Sequence, residues 1–252
     1  MNRDIGIEGA RGWQASVSAG LTLILACALL AGTLAAGVPP SFAGLQASAA
    51  GGQQKLAPLP IVLPQPMFEG TPQNLRVPNL EKPRYKAREP FLAPAGVVNV
   101  ARRKKVTSSD MEPIFGELSM LTDGDRTGEE GSEIELAQGK QHVTVDLGAT
   151  YEIYAVLFWH FHNTPRVYFY VIVQIADDPQ FTKNVRTLFN NDHDNTSGLG
   201  AGKEMNYVET SEGRLVDAKG SLARYLRLYS NGNNANEMNH YVEIEVFGRL
   251  PK

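Results

Sequence analysis

Four short stretches of the chain concentrate side chains that could bind or react. In Asp123-Gly124-Asp125 a glycine lies between two carboxylates. Such a turn can aim carboxylate and carbonyl oxygens at one point, as a hard cation such as Ca²⁺ requires; it is equally an ordinary polar turn. Residues 159–168 read WHFHNTPRVY. His160 and His162 lie two apart, so on a strand they share a side, and a strand ending near them would bring them to a loop with Arg166 and Tyr168. An imidazole, a guanidinium and aromatic faces suit a polyol or sugar. The same histidines could ligate a metal, but no Asp- or Glu-rich metal-enzyme pattern accompanies them. The plainer reading makes Trp159 and Phe161 core residues and leaves the histidines on a solvated face. Residues 190–198 (NNDHDNTSG) are dense in oxygen ligands without EF-hand spacing, and fit a soluble turn, a second cation site or a ligand rim. Residues 231–239 (NGNNANEMN) form a similar polar loop, whose Asn231 and Asn233 would lie near the His/Arg loop if both occupy one end of a sandwich.

Catalytic patterns are scarce. There is no Gly-x-Ser-x-Gly elbow and no HExxH, and the five histidines are scattered from His142 to His240. With 24 Lys+Arg against 27 Asp+Glu the net charge is −3, which supplies no basic field for nucleic acid. One cysteine excludes an internal disulfide framework and any Cys-rich zinc module. These absences favour binding over catalysis.

The elements that would hold these residues are strands. Period-two alternation in residues 142–147 and 242–246, with short β-type runs at 97–100, 105–108, 152–161, 167–176, 185–189 and 224–230, gives about eight strands. No window carries a helical period, and there is no βαβ rhythm. The expected fold is an all-β, jelly-roll β-sandwich over residues 95–250.

Before it, residues 20–36 form the only long apolar run, preceded by Arg3 and Arg11 and followed by Ser41 and Ala43 at the small positions of a signal-peptidase site. Residues 1–43 therefore read as a secretory signal and the mature protein as extracytoplasmic. A retained membrane anchor and a lipobox at Cys27 are the alternatives. Residues 44–94, with recurrent prolines, read as a Pro-rich linker that cannot close a core of its own. Within it, Phe91 and Leu92 are apolar enough to dock on the domain.

Taken in order, Val98-Asn99-Val100-Ala101, Lys105-Val106-Thr107-Ser108-Ser109, Leu121-Thr122-Asp123-Gly124-Asp125, residues 143–148 (VTVDLG), 224–229 (RYLRLY) and 243–248 (EIEVFG) resemble a discoidin domain. This is the coagulation-factor type C, or galactose-binding-like, family. The resemblance covers about residues 95–250. It implies a jelly roll with a structural Ca²⁺ at Asp123 and Asp125, completed by a Glu opening the last strand, which by position is Glu243 with the Val242 carbonyl beside it. Alternation puts Glu243 and Glu245 on one face, so both remain open. The function expected is an exported, non-catalytic module binding carbohydrate or cell-surface glycan. The alternative is an adhesive or scaffold protein binding another protein.

Overall fold

The computed structural model describes residues 55–68, 75–84 and 86–252, so the expectations for the signal segment lie outside the described residues. Among the described residues no helix is long and apolar enough to cross a membrane. The fold is all-β, as its sequence alternation requires.

Two long strands organise it. β6 (Gln141–Trp159) and β9 (Arg214–Ser230) pair antiparallel over nearly their whole length. Their register slips between Asp146 and Tyr151 and again between Ile153 and Ala155. Bulged pairing of this kind bends strands and strengthens twist. The first half of β6 carries β4 (Lys105–Ser108) on one side and β9 on the other. β9 continues to β7 (Ile172–Ala176), and β7 to β8 (Arg186–Asn190). The second half of β6 instead pairs with β11 (Glu243–Arg249), which pairs with β3 (Val98–Asn99). β5 (Ile134–Leu136) and β10 (Asn239–Tyr241) form a small separate pair. The two halves enclose one core: Val143, Val145, Leu226, Leu228, Val173 and Ile175 from one, Val156, Phe158, Ile244, Val246 and Val216 from the other.

The second half of β6 is unusual for a sandwich strand because it is buried on both faces. Residues 155–159 (AVLFW) are all fully buried. Val156 and Phe158 enter the main core, while Ala155, Leu157 and Trp159 point outward into a second cluster with Phe247 and Val242. A continuous apolar run of this length demands a cover on each side.

The stretch read as a linker supplies that cover. β1 (Leu56–Pro58) pairs antiparallel with β2 (Leu92–Pro94), and Leu59 and Ala93 complete the outer cluster, with Ile61 and Phe91 packed against it. Leu80 bridges to Asn206, and Arg88 donates to the carbonyls of Gly213 (3.1 Å) and Glu212 (3.0 Å). Residues 55–94, where described, are thus a strap fixed across the domain rather than a free spacer, and they form one compact unit with it. Of the two residues expected to dock, Phe91 packs against the cluster and Leu92 stays exposed.

Candidate functional site

The Asp123 turn follows a short 3-10 helix (Leu118–Thr122). Gly124 sits at φ +87, where a side chain would be strained, and a Cβ there would run into the Arg102 guanidinium. Asp123 Oδ1 accepts from the Asp125 amide (2.7 Å), and Asp125 Oδ1 accepts from the amide and hydroxyl of Thr127 (both 2.9 Å). The carboxylates fold their own turn first.

On β11, Ile244 and Val246 face the core, and Glu243 and Glu245 face the other way under the 123–127 turn. Arg126 separates them: its Nη2 donates to Glu245 Oε1 at 2.7 Å. Glu243 is fully buried, and although it faces the Gly124 amide, neither oxygen closes a hydrogen bond of ordinary geometry. Burial, with the charges of Glu245 and Asp123 adding to it, pushes its carboxyl up to about 9. Arg126 thus pairs with Glu245 through Oε1 and leaves Glu243 without a cationic partner in hydrogen-bond contact. Val242, beside it, is buried and donates its amide to Trp159 O (2.8 Å). Among the described residues no three His, Cys, Asp or Glu side chains form a metal-ligand group. An orphaned buried carboxylate beside an exposed Asp fits a hard cation whose remaining ligands are carbonyls.

The expected ligand rim is largely interior, which corrects the reading of four of its residues. β6 ends at Trp159, so His160 and His162 are not on a strand, and both are fully buried. His160 Nδ1 meets Glu209 Oε1 at 2.6 Å, and its ring stacks on Tyr168 at 4.2 Å. His162 Nε2 lies 3.1 Å from Arg126 O, and burial lowers its pKa. Tyr168 is 1% exposed, with its hydroxyl 3.1 Å from His240 Nδ1. Asn233 is buried and fully used by its own loop, with Nδ2 donating to Asn236 Oδ1 and Met238 O and Oδ1 accepting from the Ala235 and Asn236 amides. Arg166 and Asn231 remain half-buried. Arg166 lies over the Phe161 ring (4.8 Å), with Nη1 3.4 Å from His240 Nδ1. The residues do come together, but as a polar network within the fold. Glu209, which sequence reasoning missed, is its hidden partner.

An accessible site lies elsewhere. A cavity of about 360 Å³ opens between Phe169 and Tyr170, the 190–198 loop through Asn191, His193 and Asp194, and the strap through Pro78 and Asn79. Tyr170 is held at φ +52, a left-handed conformation costly for an aromatic residue. Asn191 is 2% exposed; its Oδ1 accepts from the Val171 amide (2.6 Å), and its Nδ2 has no protein partner. Asn79 Nδ2 lies 3.3 Å from His193 Nδ1. Fully buried Asp192 shapes the loop, accepting from the Thr196 amide (3.0 Å), the Ser197 amide (2.8 Å) and the Ser197 hydroxyl. The density of oxygen ligands in 190–198 therefore serves the loop itself at Asp192 and presents Asn191 and His193 to the cavity.

Comparison with known proteins finds no matching family model and no matching curated protein. Solved structures do match. A carbohydrate-binding module of AlyQ, in complex with 4,5-unsaturated mannuronic acid, is 18% identical, with 57% of this chain and 93% of that one covered and a TM-score of 0.38. A point mutant of a chitosan-binding module from a Paenibacillus chitosanase/glucanase is 20% identical, covering 60% and 98%, with a TM-score of 0.43. A Clostridium perfringens module in complex with GlcNAc-α-1,4-galactose is 18% identical, covering 62% and 96%, with a TM-score of 0.45. Identities of 18–20% and TM-scores below 0.5 leave the site to the chain's own geometry.

Proposed function

We propose that residues 95–250 are a non-catalytic, extracytoplasmic carbohydrate-binding module with a structural Ca²⁺. The observation that carries the glycan reading is the cavity at Phe169, Tyr170, Asn191 and His193. It joins aromatic faces to polar groups on a fixed backbone, and Asn191 in its wall is a buried residue whose Nδ2 no protein group satisfies. Sugars need that combination of stacking surface and directed hydrogen bonds. The buried His160–Glu209 pair does not suggest an enzyme, since both side chains are sealed from solvent. For calcium, Glu243 and Asp123 would hold the ion together with backbone oxygens of the turn, and the ion would supply the positive charge that Glu243 lacks. The resemblance to discoidin domains supports both assignments, and the apolar run at 20–36 supports export.

A glycan array probed with the full chain, followed by titration of any hit against Tyr170→Ala, tests the reading. Stacking on one aromatic ring is worth about 1 kcal/mol, so affinity should fall several-fold while the fold persists. Equal binding by the variant would remove the cavity from consideration. A second reading, a protein partner, is favoured by one feature: Met111, Ile114 and Phe115 are 89%, 57% and 48% exposed on a single loop. Capture of a protein partner, lost on Phe115→Ser and with no glycan signal, would establish it instead.

A further inference from the structure

A second cavity, about 570 Å³, lies between the strap and residues 207–215. Its charge is uneven. Lys82, Arg84, Lys86, Arg88 and Arg214 line it against Glu81, Glu209 and Glu212, five cations to three anions, in a protein whose net charge is −3. The anions are all engaged. Glu81 pairs with Arg214 at 2.8 Å, Glu212 with Arg84 at 2.9 Å, and Glu209 with buried His160. Arg88 is turned to backbone, its guanidinium donating to the Gly213 and Glu212 carbonyls. What faces the open space is the exposed ammonium of Lys82, that of Lys86 and the half-exposed guanidinium of Arg84. The same wall has an apolar part. Phe68, Pro66 and Pro83 offer apolar faces. Tyr207 and Glu209 also belong to the wall, but both are buried and they face each other. The volume is in the range of small-ligand sites.

We propose that this cavity binds an anionic saccharide, its carboxylate or sulfate held by Lys82, Arg84 and Lys86 and its ring against Phe68. An oxyanion complements the two uncompensated ammonium groups, Lys82 and Lys86, through charge-assisted hydrogen bonds, and Arg84, whose Nη2 already donates to Glu212, can add its remaining donors. A bare anion would use only the rim; the apolar wall calls for a body attached to it. The site exists only because the strap is docked, since Lys82, Arg84 and Lys86 lie on the strap and Arg214 on the domain. It rests on the carbohydrate reading above, and it adds the class of sugar and a second place to bind it.

The test is calorimetric titration of the full chain with three oligosaccharides of equal length, one neutral, one uronate-bearing and one sulfated. Each is repeated at low and high salt and with the Lys82→Gln/Arg84→Gln double variant. Melting curves confirm its fold, and Lys82→Gln alone, at an exposed position, serves if the double variant is unstable. An acidic oligosaccharide should bind more tightly than the neutral one, weaken with salt, and lose about tenfold in affinity on the double variant. The uronate and sulfate arms identify which oxyanion is preferred. Acidic sugars that bind no better than neutral ones, or that bind the variants as tightly as the native chain, overturn the inference. Neutral binding that persists and is sensitive to Tyr170→Ala would then leave the carbohydrate reading standing, and loss of all three titrations would remove both.

Discussion

At Glu243 the protein holds a carboxyl group out of water, beside Glu245 and Asp123, facing the Gly124 amide but with no hydrogen bond of ordinary geometry to either oxygen. Replacing it with Gln removes the charge and keeps the shape. If calcium sits there, chelation should lower the melting temperature of the native chain by about 5–10 °C, from about 2.7 kcal/mol of binding at hundredfold excess ligand. Glu243→Gln should not respond to chelator at all. An unchanged melting curve with chelator would remove the cation. A second residue sets a pH dependence. His240 is pushed down to about 4 by burial first, then by the charge of Arg166. Its Nδ1 must stay unprotonated to face the Arg166 guanidinium and accept from Tyr168. Because the folded imidazole is less basic than its ordinary 6.5, the unfolded chain takes up the proton first. Stability is intact above about pH 6.5 and falls as pH drops toward 4, by at most about 3 kcal/mol from this residue. His142, also lowered to about 4, chiefly by burial, adds in the same direction. Urea midpoints at about pH 7 and about pH 4.5 measure the slope, and His240→Gln should flatten it. The sequence showed these side chains and their spacing. It did not show that Glu209, 49 residues beyond His160, closes over the pair, because burial depends on partners no local pattern names.

The strap is the element whose reading changed most. Its prolines exclude a helix and suit extended chain, which was legible, but they do not distinguish a free spacer from a docked one. The distinguishing signal was in another place. Residues 155–159 are apolar at every position, so the strand they form needs a cover on its outer face. That strand read as two runs because Gly148-Ala149-Thr150 resembles a turn, whereas the chain passes through it as the bulged bend of β6. Leu59 is 9% exposed in the outer cluster and Leu92, two strand positions from Pro94, is 55% exposed. Leu59→Ala should therefore cost about 2 kcal/mol or more, and Leu92→Ala within about 0.5 kcal/mol. Chemical denaturation of both variants measures the difference. Equal, negligible effects would mean the strap is not held against β6 in solution.

The domain is built on one bent seven-stranded sheet around its main core, and its all-β class followed from alternation, turn spacing and the absence of helical period. The cavities did not follow. Each is assembled from stretches far apart in the chain, residues 78–79 with 169–170 and 191–194 in one, 82–88 with 207–215 in the other. A sequence lists such pieces without showing which of them meet. The strap's geometry has a mechanical consequence. Leu56 lies opposite Pro94, and the Ala95 amide donates to Lys55 O at 2.9 Å, so the chain enters and leaves the β1–β2 pair at the same end. A pull between Lys55 and the domain therefore breaks those hydrogen bonds one after another, a peeling load, instead of shearing them together. The sheet built on β6 and β9 would feel no tension until the strap had come away. Peeling releases the 39 residues between Lys55 and Ala95, about 140 Å of extended chain. A force–extension trace should show that length paid out at low force, ahead of the cooperative rupture of the sandwich, and with it the loss of the strap's share of both cavities.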